Sequence, residues 1–255
     1  MGGSLIVCAP HACHDDSALA VFGEDRRPCL WCDGGLRALV SDQVWEALVS
    51  GGSGRTYRAG DAIVRQGDEG TRVVVLVEGL VKVTRSQEDG SEVMLAIRGA
   101  GEIIGGMTVI DAGVSSATVS ALVECRTRLL AGDEFLEFVA ANDLALPLLR
   151  HAVARQRESE DICVELSTLS VSRRLVRVLL RLAAATGGRA SDSVAVDVGL
   201  PQEELARAIG ASRSQVAADL ARLRADGILA TGRRRVLVRD PVRLRALDAR
   251  SSRAS

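Results

Sequence analysis

The chain has 255 residues, and because 47% are hydrophobic but only 2% aromatic, its cores must rest on Val, Leu, Ile and Ala. No apolar run approaches the roughly 18 residues of a membrane span, and the start lacks the order of a signal peptide, so we expect a cytoplasmic protein with no membrane partner. The net charge of −1 hides an asymmetry: the segment from Val171 onward holds 17 Arg and 8 Asp or Glu, whereas the first 170 residues hold 15 basic and 25 acidic ones. A basic end on an acidic body is typical of a DNA-binding module joined to a regulatory one.

Residues 1–34 form a leader that is rich in cysteine. Cys29 and Cys32 have a two-residue spacing that lets both thiolates face one centre, which suits zinc or an iron–sulfur cluster. Cys8 and Cys13 would complete a set of four ligands. Two other interpretations stay open: a thiol redox switch, and unliganded cysteines in a flexible segment.

Residues 35–133 are predicted to form an antiparallel β-barrel of the jelly-roll type. A short helix is expected from Leu36 to Leu48. After it, short apolar runs alternate with turns that contain Gly and Asp, and this close, regular spacing indicates many short strands. The runs lie at residues 62–64, 73–77, 80–81, 93–97, 103–104, 117–123 and 129–130.

A second periodic segment covers residues 134–170 and predicts a long helix. Apolar residues at spacings of three and four flank its polar middle, so the helix can pair with a second copy along a seam, the line of contact between two helices. A helix lying on its own domain is the alternative. Cys163 is expected to be buried in the seam, with an intersubunit disulfide as the alternative, and His151 is expected at the surface or seam. Residues 170–172 would then be a hinge before a helix at 173–185.

The stretch from Leu200 to Gly232 carries the clearest pattern. Pro201 suits a first helical turn, Gly210 ends that helix, and Ser212 can cap a second one. The second helix opens with Ser-Arg-Ser-Gln at 212–215, side chains that suit phosphates and base edges in a major groove. Two short helices joined by a tight turn therefore predict a DNA-reading helix-turn-helix.

A wing is predicted after the second helix, with strands at 228–230 and 236–238. Arg233 and Arg234 lie at its basic tip, where they would contact phosphates or, alternatively, form a solvated turn. Residues 194–196 offer a further strand. We therefore expect a winged helix-turn-helix domain at residues 171–245 and a disordered tail at 246–255.

In this order along the chain, the motifs resemble those of the Crp/Fnr family of transcription regulators. Leu200 to Val216 is similar to the helix-turn-helix of that family, and Tyr57 to Asp61 and Glu78 to Val83 are similar to strands and turns of its effector domain. The next similar segment, Glu102 to Gly105, lies where the family binds its small molecule. The resemblance implies an α+β fold with an antiparallel β jelly-roll effector domain, a long dimerisation helix and a winged helix-turn-helix DNA-binding domain.

The resemblance also implies which residues contact DNA. It places phosphate contacts at Ser212 and Gln215, base contacts at Arg213 and Ser214, and a backbone contact at Gln202. Arg213 is the best candidate for a bidentate contact with guanine. Because Ser214 and Ala218 stand where the family commonly has Glu and Arg, we expect an operator that departs from the usual half-site of the family.

The resemblance places the effector site at Gly105, Gly106, Ser115 and Ser116. Members that bind cyclic nucleotides carry Glu at the position of Gly106 and Arg at that of Ser115, and a buried cyclic phosphate needs such a positive partner. No Lys or Arg lies between Gly99 and Glu124. Binding of cAMP in the usual mode is therefore not expected, and a purine-like or neutral ligand, or no ligand, is expected instead.

Together these patterns predict an effector-gated homodimer that reads two half-sites of double-stranded DNA and, as the resemblance implies, works with RNA polymerase. Three alternatives stay open: a redox- or metal-responsive sensor that uses the leader cysteines, a cyclic-nucleotide-responsive regulator, and a binder that needs no effector. An enzyme is not expected, because the sequence has no phosphate-binding Gly loop followed by Lys and no nucleophile–base spacing.

Overall fold

The computed structural model describes residues 35–185, 196–197, 201–232 and 235–250. These residues form an antiparallel β-roll, a long helix and a helical module with a small three-stranded sheet. The predicted α+β class is confirmed. None of the described helices is both long enough and apolar enough to cross a membrane.

The chain enters the β-roll through two short helices, whereas one helix from Leu36 to Leu48 was predicted. A 3-10 helix covers Gly35–Leu39, and helix α1 covers Asp42–Ser50. Ser41 separates them, because its hydroxyl accepts a hydrogen bond from the backbone N–H of Val44 at 3.3 Å and so begins a new helix. Both helices are anchored by buried leucines, Leu36 and Leu48.

The roll is built from two antiparallel sheets that pack against each other. Its strands are β1 Ser53–Tyr57, β2 Ala62–Val64, β3 Arg72–Glu78, β4 Leu80–Ser86, β5 Glu92–Gly99, β6 Ile103–Ile104, β7 Thr118–Ala121 and β8 Cys125–Ala131. The strand order is β1-β8-β3-β6 in one sheet and β2-β7-β4-β5 in the other. A short helix, α2 at Gly106–Ile110, lies between β6 and β7.

Strand β3 lies at the centre of the roll, and its position explains its continuous apolar run. Val74 and Leu76 pack in a core with Val81 of the other sheet, whereas Val73 and Val75 pack against the helices on the opposite side. Successive strand residues face opposite sides of a sheet. The middle of the strand, which is covered on both faces, is therefore apolar at successive positions, while its two ends are charged and exposed.

The segment predicted as one helix over residues 134–170 is two helices. Helix α3 covers Gly132–Ala141, and helix α4 covers Ala145–Thr168. Asp143 between them has a φ of 51°, a left-handed conformation that interrupts a right-handed helix. With its 24 residues, α4 spans about 36 Å and ends before helix α5 at Val171–Ala185.

The C-terminal module contains the predicted helix-turn-helix and wing. Its elements are β9 Val196–Asp197, α6 Gln202–Ala208, α7 Arg213–Ala225, β10 Leu229–Gly232, β11 Arg235–Val238 and α8 Pro241–Arg250. Leu205, Val216 and Leu220 pack in one core with Leu179 of α5. The first two residues of the predicted strand at 194–196 and the wing-tip residues Arg233 and Arg234 lie outside the described residues.

The predicted disordered tail is wrong for residues 246–250, which belong to α8. Asp248 is buried, and its carboxylate accepts a hydrogen bond from Nε of Arg177 at 3.1 Å. This contact fixes α8 on α5. Residues 251–255 lie outside the described residues, and the remaining domain boundaries stay predictions.

Candidate DNA interface and effector turn

The tight turn of the helix-turn-helix is built from residues 210–212. Gly210 has a φ of 58°, which glycine adopts without strain. Ser212 then caps α7: its Oγ accepts a hydrogen bond from the N–H of Gln215 at 3.3 Å, and its own N–H donates to Oε1 of Gln215 at 3.1 Å. This reciprocal cap fixes the start of α7 and the side chains of its first turn.

The first turn of α7 faces solvent, while the opposite side of the helix is buried through Val216, Leu220 and Leu223. The exposed residues of the turn are the four predicted DNA contacts, Ser212, Arg213, Ser214 and Gln215. Arg213 supplies a guanidinium, whose planar pair of donors matches O6 and N7 of guanine. Gln202, the predicted backbone contact, is half-buried in the first turn of α6.

Two further arginines of α7 are held by protein groups. Arg222 donates to Asp219 and to the hydroxyl of Ser172 at 3.1 Å, and that hydroxyl donates to Asp219 at 2.8 Å. Arg224 donates to Oγ1 of Thr231 on β10 at 3.3 Å. These contacts connect α7 to the start of α5 and to the wing.

The effector turn, residues 105–116, joins β6 to β7. Gly105 begins α2 with a φ of 82°, and a Cβ at Gly105 would lie 2.9 Å from the carbonyl oxygen of Arg72. Gly106 is buried, and a Cβ there would lie 2.8 Å from Cδ1 of Ile103. The position at which the resemblance expects a ribose-binding Glu is therefore a buried glycine, and a longer side chain there would require the end of the Ile103 side chain to move.

The other end of the effector turn offers the hydroxyls of two serines, and the turn itself contains no Lys or Arg. Ser115 donates its hydroxyl to the carbonyl oxygen of Ala117 at 2.8 Å, and Ser116 is exposed. The carboxylate of Asp111, on the same loop, accepts a hydrogen bond from the N–H of Gly113 at 3.0 Å. A phosphate would meet an anion on this loop and no arginine.

Beside the effector turn lies a cluster of buried charges that the sequence interpretation missed. Glu102, just before β6, contacts Nε2 of His151 at 2.8 Å and pairs with Arg155, which also donates to Glu158 at 2.6 Å. Arg98 of β5 donates to Glu158 at 2.7 Å.

Burial alone would raise the pKa of Glu102, but the hydrogen bond with His151 and the charges of Arg155, His151 and Arg98 outweigh this effect and lower that pKa. The cluster joins the roll to α4 through ionised groups.

The prediction that His151 lies at the surface or seam is wrong, because its side chain is buried against the roll. His151, Glu158 and Glu165 are spaced by seven residues, share one face of α4 and are all buried. Glu165 accepts a hydrogen bond from Arg177 of α5 at 3.0 Å. Ionisable residues at a seven-residue spacing were the sequence signal for a buried polar face.

The leader cysteines Cys8, Cys13, Cys29 and Cys32 lie outside the described residues, so the metal, cluster and redox interpretations stay predictions.

Cys125 is buried with Sγ 3.4 Å from the carbonyl oxygen of Leu80, and burial raises the pKa of its thiol. Cys163 is exposed in the protomer, so its burial in a seam with a second copy, like the intersubunit disulfide, stays a prediction. In the part of the chain that the structure describes, no three His, Cys, Asp or Glu residues are grouped to hold a metal ion.

Comparisons with known proteins agree with this geometry. A cyclic nucleotide-binding domain model matches residues 54–142, and a Crp-like helix-turn-helix domain model matches residues 173–247. The CRP-like cAMP-activated global transcriptional regulator of Mycobacterium tuberculosis is 28% identical over 74% of this chain and 84% of its own. The global nitrogen regulator of Synechococcus elongatus is 28% identical over 74% of this chain and 86% of its own. The structure of FixK2 from Bradyrhizobium japonicum superposes with a TM-score of 0.65 at 21% identity, over 77% of this chain and 96% of that one, which shows a shared fold.

A β-roll effector domain followed by a winged helix-turn-helix defines a class of DNA-binding proteins that regulate transcription. Two domain models in this order, with full-length relatives of the same kind, identify the family. The chain belongs to the Crp/Fnr family of transcriptional regulators, which are not enzymes.

Proposed function

We propose that the protein is a homodimer that binds two half-sites of a double-stranded operator, with an affinity that an effector controls. The observation that carries this proposal is the exposed, capped first turn of α7, from which Arg213 extends. The second helix of a helix-turn-helix lies in the major groove, and a dimer places two such helices about one DNA turn apart. RNA polymerase stays a predicted partner.

Replacing Arg213 with Ala tests the proposed base contact. We expect a loss of about 1–3 kcal/mol in affinity for the operator and a much smaller loss for a random duplex, because a guanidinium that reads guanine discriminates among sequences. The operator is obtained by selection from random DNA. Both affinities are then measured by fluorescence anisotropy at one salt concentration.

The matched control is Arg65→Ala, which removes the same charge from an exposed position on the β-roll. This variant should bind the operator like the unmodified protein. Equal losses on operator and random duplex for Arg213→Ala would show that Arg213 contacts only the DNA backbone.

For the effector, we propose a ligand that is not held through a cyclic phosphate. The relative from Mycobacterium tuberculosis is named as cAMP-activated. In this chain, however, Gly106 supplies no carboxylate, Ser115 supplies no cation and Asp111 adds an anion, and these features support a different ligand chemistry. Isothermal titration calorimetry with cAMP should give no binding heat, and a saturable isotherm would contradict the proposal.

A further inference from the structure

The helix-turn-helix module lies against the β-roll through a contact that the proposed function does not use. Leu80 of β4 is buried in the same apolar cluster as Leu179 and Leu205 of the module. At the end of β5, Gly99 lies so close to the carbonyl oxygen of Ala185 that a Cβ would collide with it. The approach of the two bodies is therefore closely fitted.

An ion pair crosses this contact. Nζ of Lys82 on β4 lies 2.6 Å from Oε1 of Glu204 on α6, and the two side chains are only 17% and 18% exposed. Lys82 is the only lysine in the sequence, in which the other basic residues are arginines. We call Lys82 and Glu204 the interdomain pair.

The interdomain pair is incompletely satisfied. Among the described residues, Oε2 of Glu204 is buried and has no hydrogen-bond partner. Arg207 approaches the other oxygen, Oε1, at 4.0 Å. A buried ion pair gains little when one of its oxygens is left without a donor. If the module moved away, Glu204 would regain water in the first turn of α6, where the helix dipole favours an anion.

The docked arrangement also disfavours DNA. In a helix-turn-helix the first helix, here α6, crosses the phosphate backbone. Docking brings Glu92 of β5 to 3.9 Å from Arg207 of α6, so a cation of this helix lies beside a carboxylate of the acidic roll. Phosphates that approach α6 would meet this negative charge.

We propose that the helix-turn-helix module docks on the β-roll in a state of low DNA affinity, that docking requires each buried charge of the interdomain pair to keep its partner, and that separation of the pair releases the module. The effect on DNA rests on the proposed function. Separation of the pair can be measured without DNA, because Lys82 is the one lysine side chain that an amine reagent can modify.

The first experiment measures the acetylation rate of Lys82 in the full chain by mass spectrometry, relative to a lysine-containing reference peptide in the same tube. Glu204→Gln leaves the Lys82 charge buried without its partner, so undocking becomes favourable and the rate should rise by about fivefold or more. Glu78→Gln, which removes one member of the exposed pair with Arg126 within the roll, is the control and should leave the rate unchanged. An unchanged rate in Glu204→Gln would overturn the proposal.

The second experiment measures affinity for a random duplex by anisotropy. Lys82→Met should bind about threefold or more tightly, because a single unpaired Glu204 opens the contact. The double variant Lys82→Met with Glu204→Leu buries no charge, so it should dock and return to the affinity of the unmodified protein. Tighter binding in both variants, or in neither, would overturn the gating of DNA binding by the pair.

The two proposals fail in different ways. If no variant binds any duplex while the acetylation of Lys82 still rises in Glu204→Gln, the DNA-binding proposal fails and the interdomain pair stands. If the operator is bound through Arg213 but neither experiment distinguishes the variants, the interdomain pair fails and the proposed function stands.

Discussion

Glu102 is a buried carboxylate that depends on its neighbours for its charge. Two carboxylates, Glu102 and Glu158, are balanced there by Arg98 and Arg155, with His151 beside them. A buried charge without a partner is costly, so each member of this cluster is stable only while the others are present. The cluster therefore fixes the position of α4 on the roll more than it adds to stability.

Glu102→Gln should lower the free energy of unfolding at neutral pH by about 3 kcal/mol, because Arg155 loses a buried anion. The pKa of Glu102 is lower in the folded protein than its ordinary value of 4.5. The contribution of ionised Glu102 to the free energy of unfolding is therefore complete above pH 4.5. It is lost as the pH falls through the lowered pKa that Glu102 has in the folded protein. Urea unfolding at several pH values should show a shallower acid loss for the variant.

The control for this prediction is Glu78→Gln, which breaks an exposed ion pair with Arg126. An exposed pair contributes less than about 1 kcal/mol, so this variant should retain the stability and pH dependence of the unmodified protein. Identical acid profiles for Glu102→Gln and the unmodified protein would contradict the ionised state of Glu102.

At the scale of the element, α4 has two unlike faces. Its buried face carries ionisable residues, whereas Leu146, Leu149, Val153 and Val164 on other positions are 53%, 60%, 42% and 59% exposed. These four residues are spaced by three, four and eleven positions, which places them in one stripe along α4. A second helix paired with α4 would cover this stripe. Gln156 and Glu160 interrupt the stripe and hydrogen-bond to each other at 3.1 Å.

Leu149→Glu should weaken dimerisation by about 100-fold or more, because a two-fold seam would bury the new charge twice. The fold of the protomer should persist, since Leu149 is exposed in it. Light scattering coupled to size-exclusion chromatography, over a series of protein concentrations, measures the change in mass.

Val242→Glu is the matched control, because Val242 is an equally exposed apolar residue on α8, away from the stripe. It should leave the mass unchanged. A monomeric unmodified protein, or a dimer that tolerates Leu149→Glu, would show that the stripe is not the seam.

Elements with a local signal could be predicted from the sequence. The five consecutive apolar residues of β3, and Gly210 followed by Ser212, determine their structure through neighbours in the chain. The division at Ser41 and the break at Asp143 were missed, because neither residue interrupts the apolar spacing around it. Helix α8 was not predicted, and it extends into the predicted tail, where Asp248 contacts Arg177, which is distant in sequence.

At the scale of the whole molecule, the site was only partly predictable. The sequence predicted an exposed first turn of α7, since a cap and an amphipathic helix are local features. It did not predict that Glu102 meets His151 or that Lys82 meets Glu204, which depends on how separate elements pack. The DNA contacts themselves, including Arg213, stay predictions.

The close approach of the two bodies at Gly99 gives a test that leaves every charge in place. Gly99→Ala should separate the module from the roll, because the added Cβ would lie 2.3 Å from the backbone carbonyl oxygen of Ala185. The acetylation rate of Lys82 should rise, while circular dichroism should show both bodies folded. Gly54→Ala is the control, since its Cβ would meet only the end of the Arg128 side chain at 3.4 Å.

An unchanged acetylation rate in Gly99→Ala would show that the roll and the module adjust together. Gly54→Ala should change neither the rate nor the spectrum. A rise in both variants would indicate a general loosening of the β-roll.

The contact of Ser172 with Asp219 bears on how Arg213 would recognise a DNA sequence. It fastens the middle of α7 to the first turn of α5, just after the end of α4. Arg213 lies six residues from Asp219, about 9 Å along the helix. A rotation of about 20° around this point would displace the guanidinium by about 3 Å, close to the roughly 3.4 Å step between base pairs. In the proposed dimer, a modest change of angle at this contact would thus displace each Arg213 by about one base-pair step relative to its half-site.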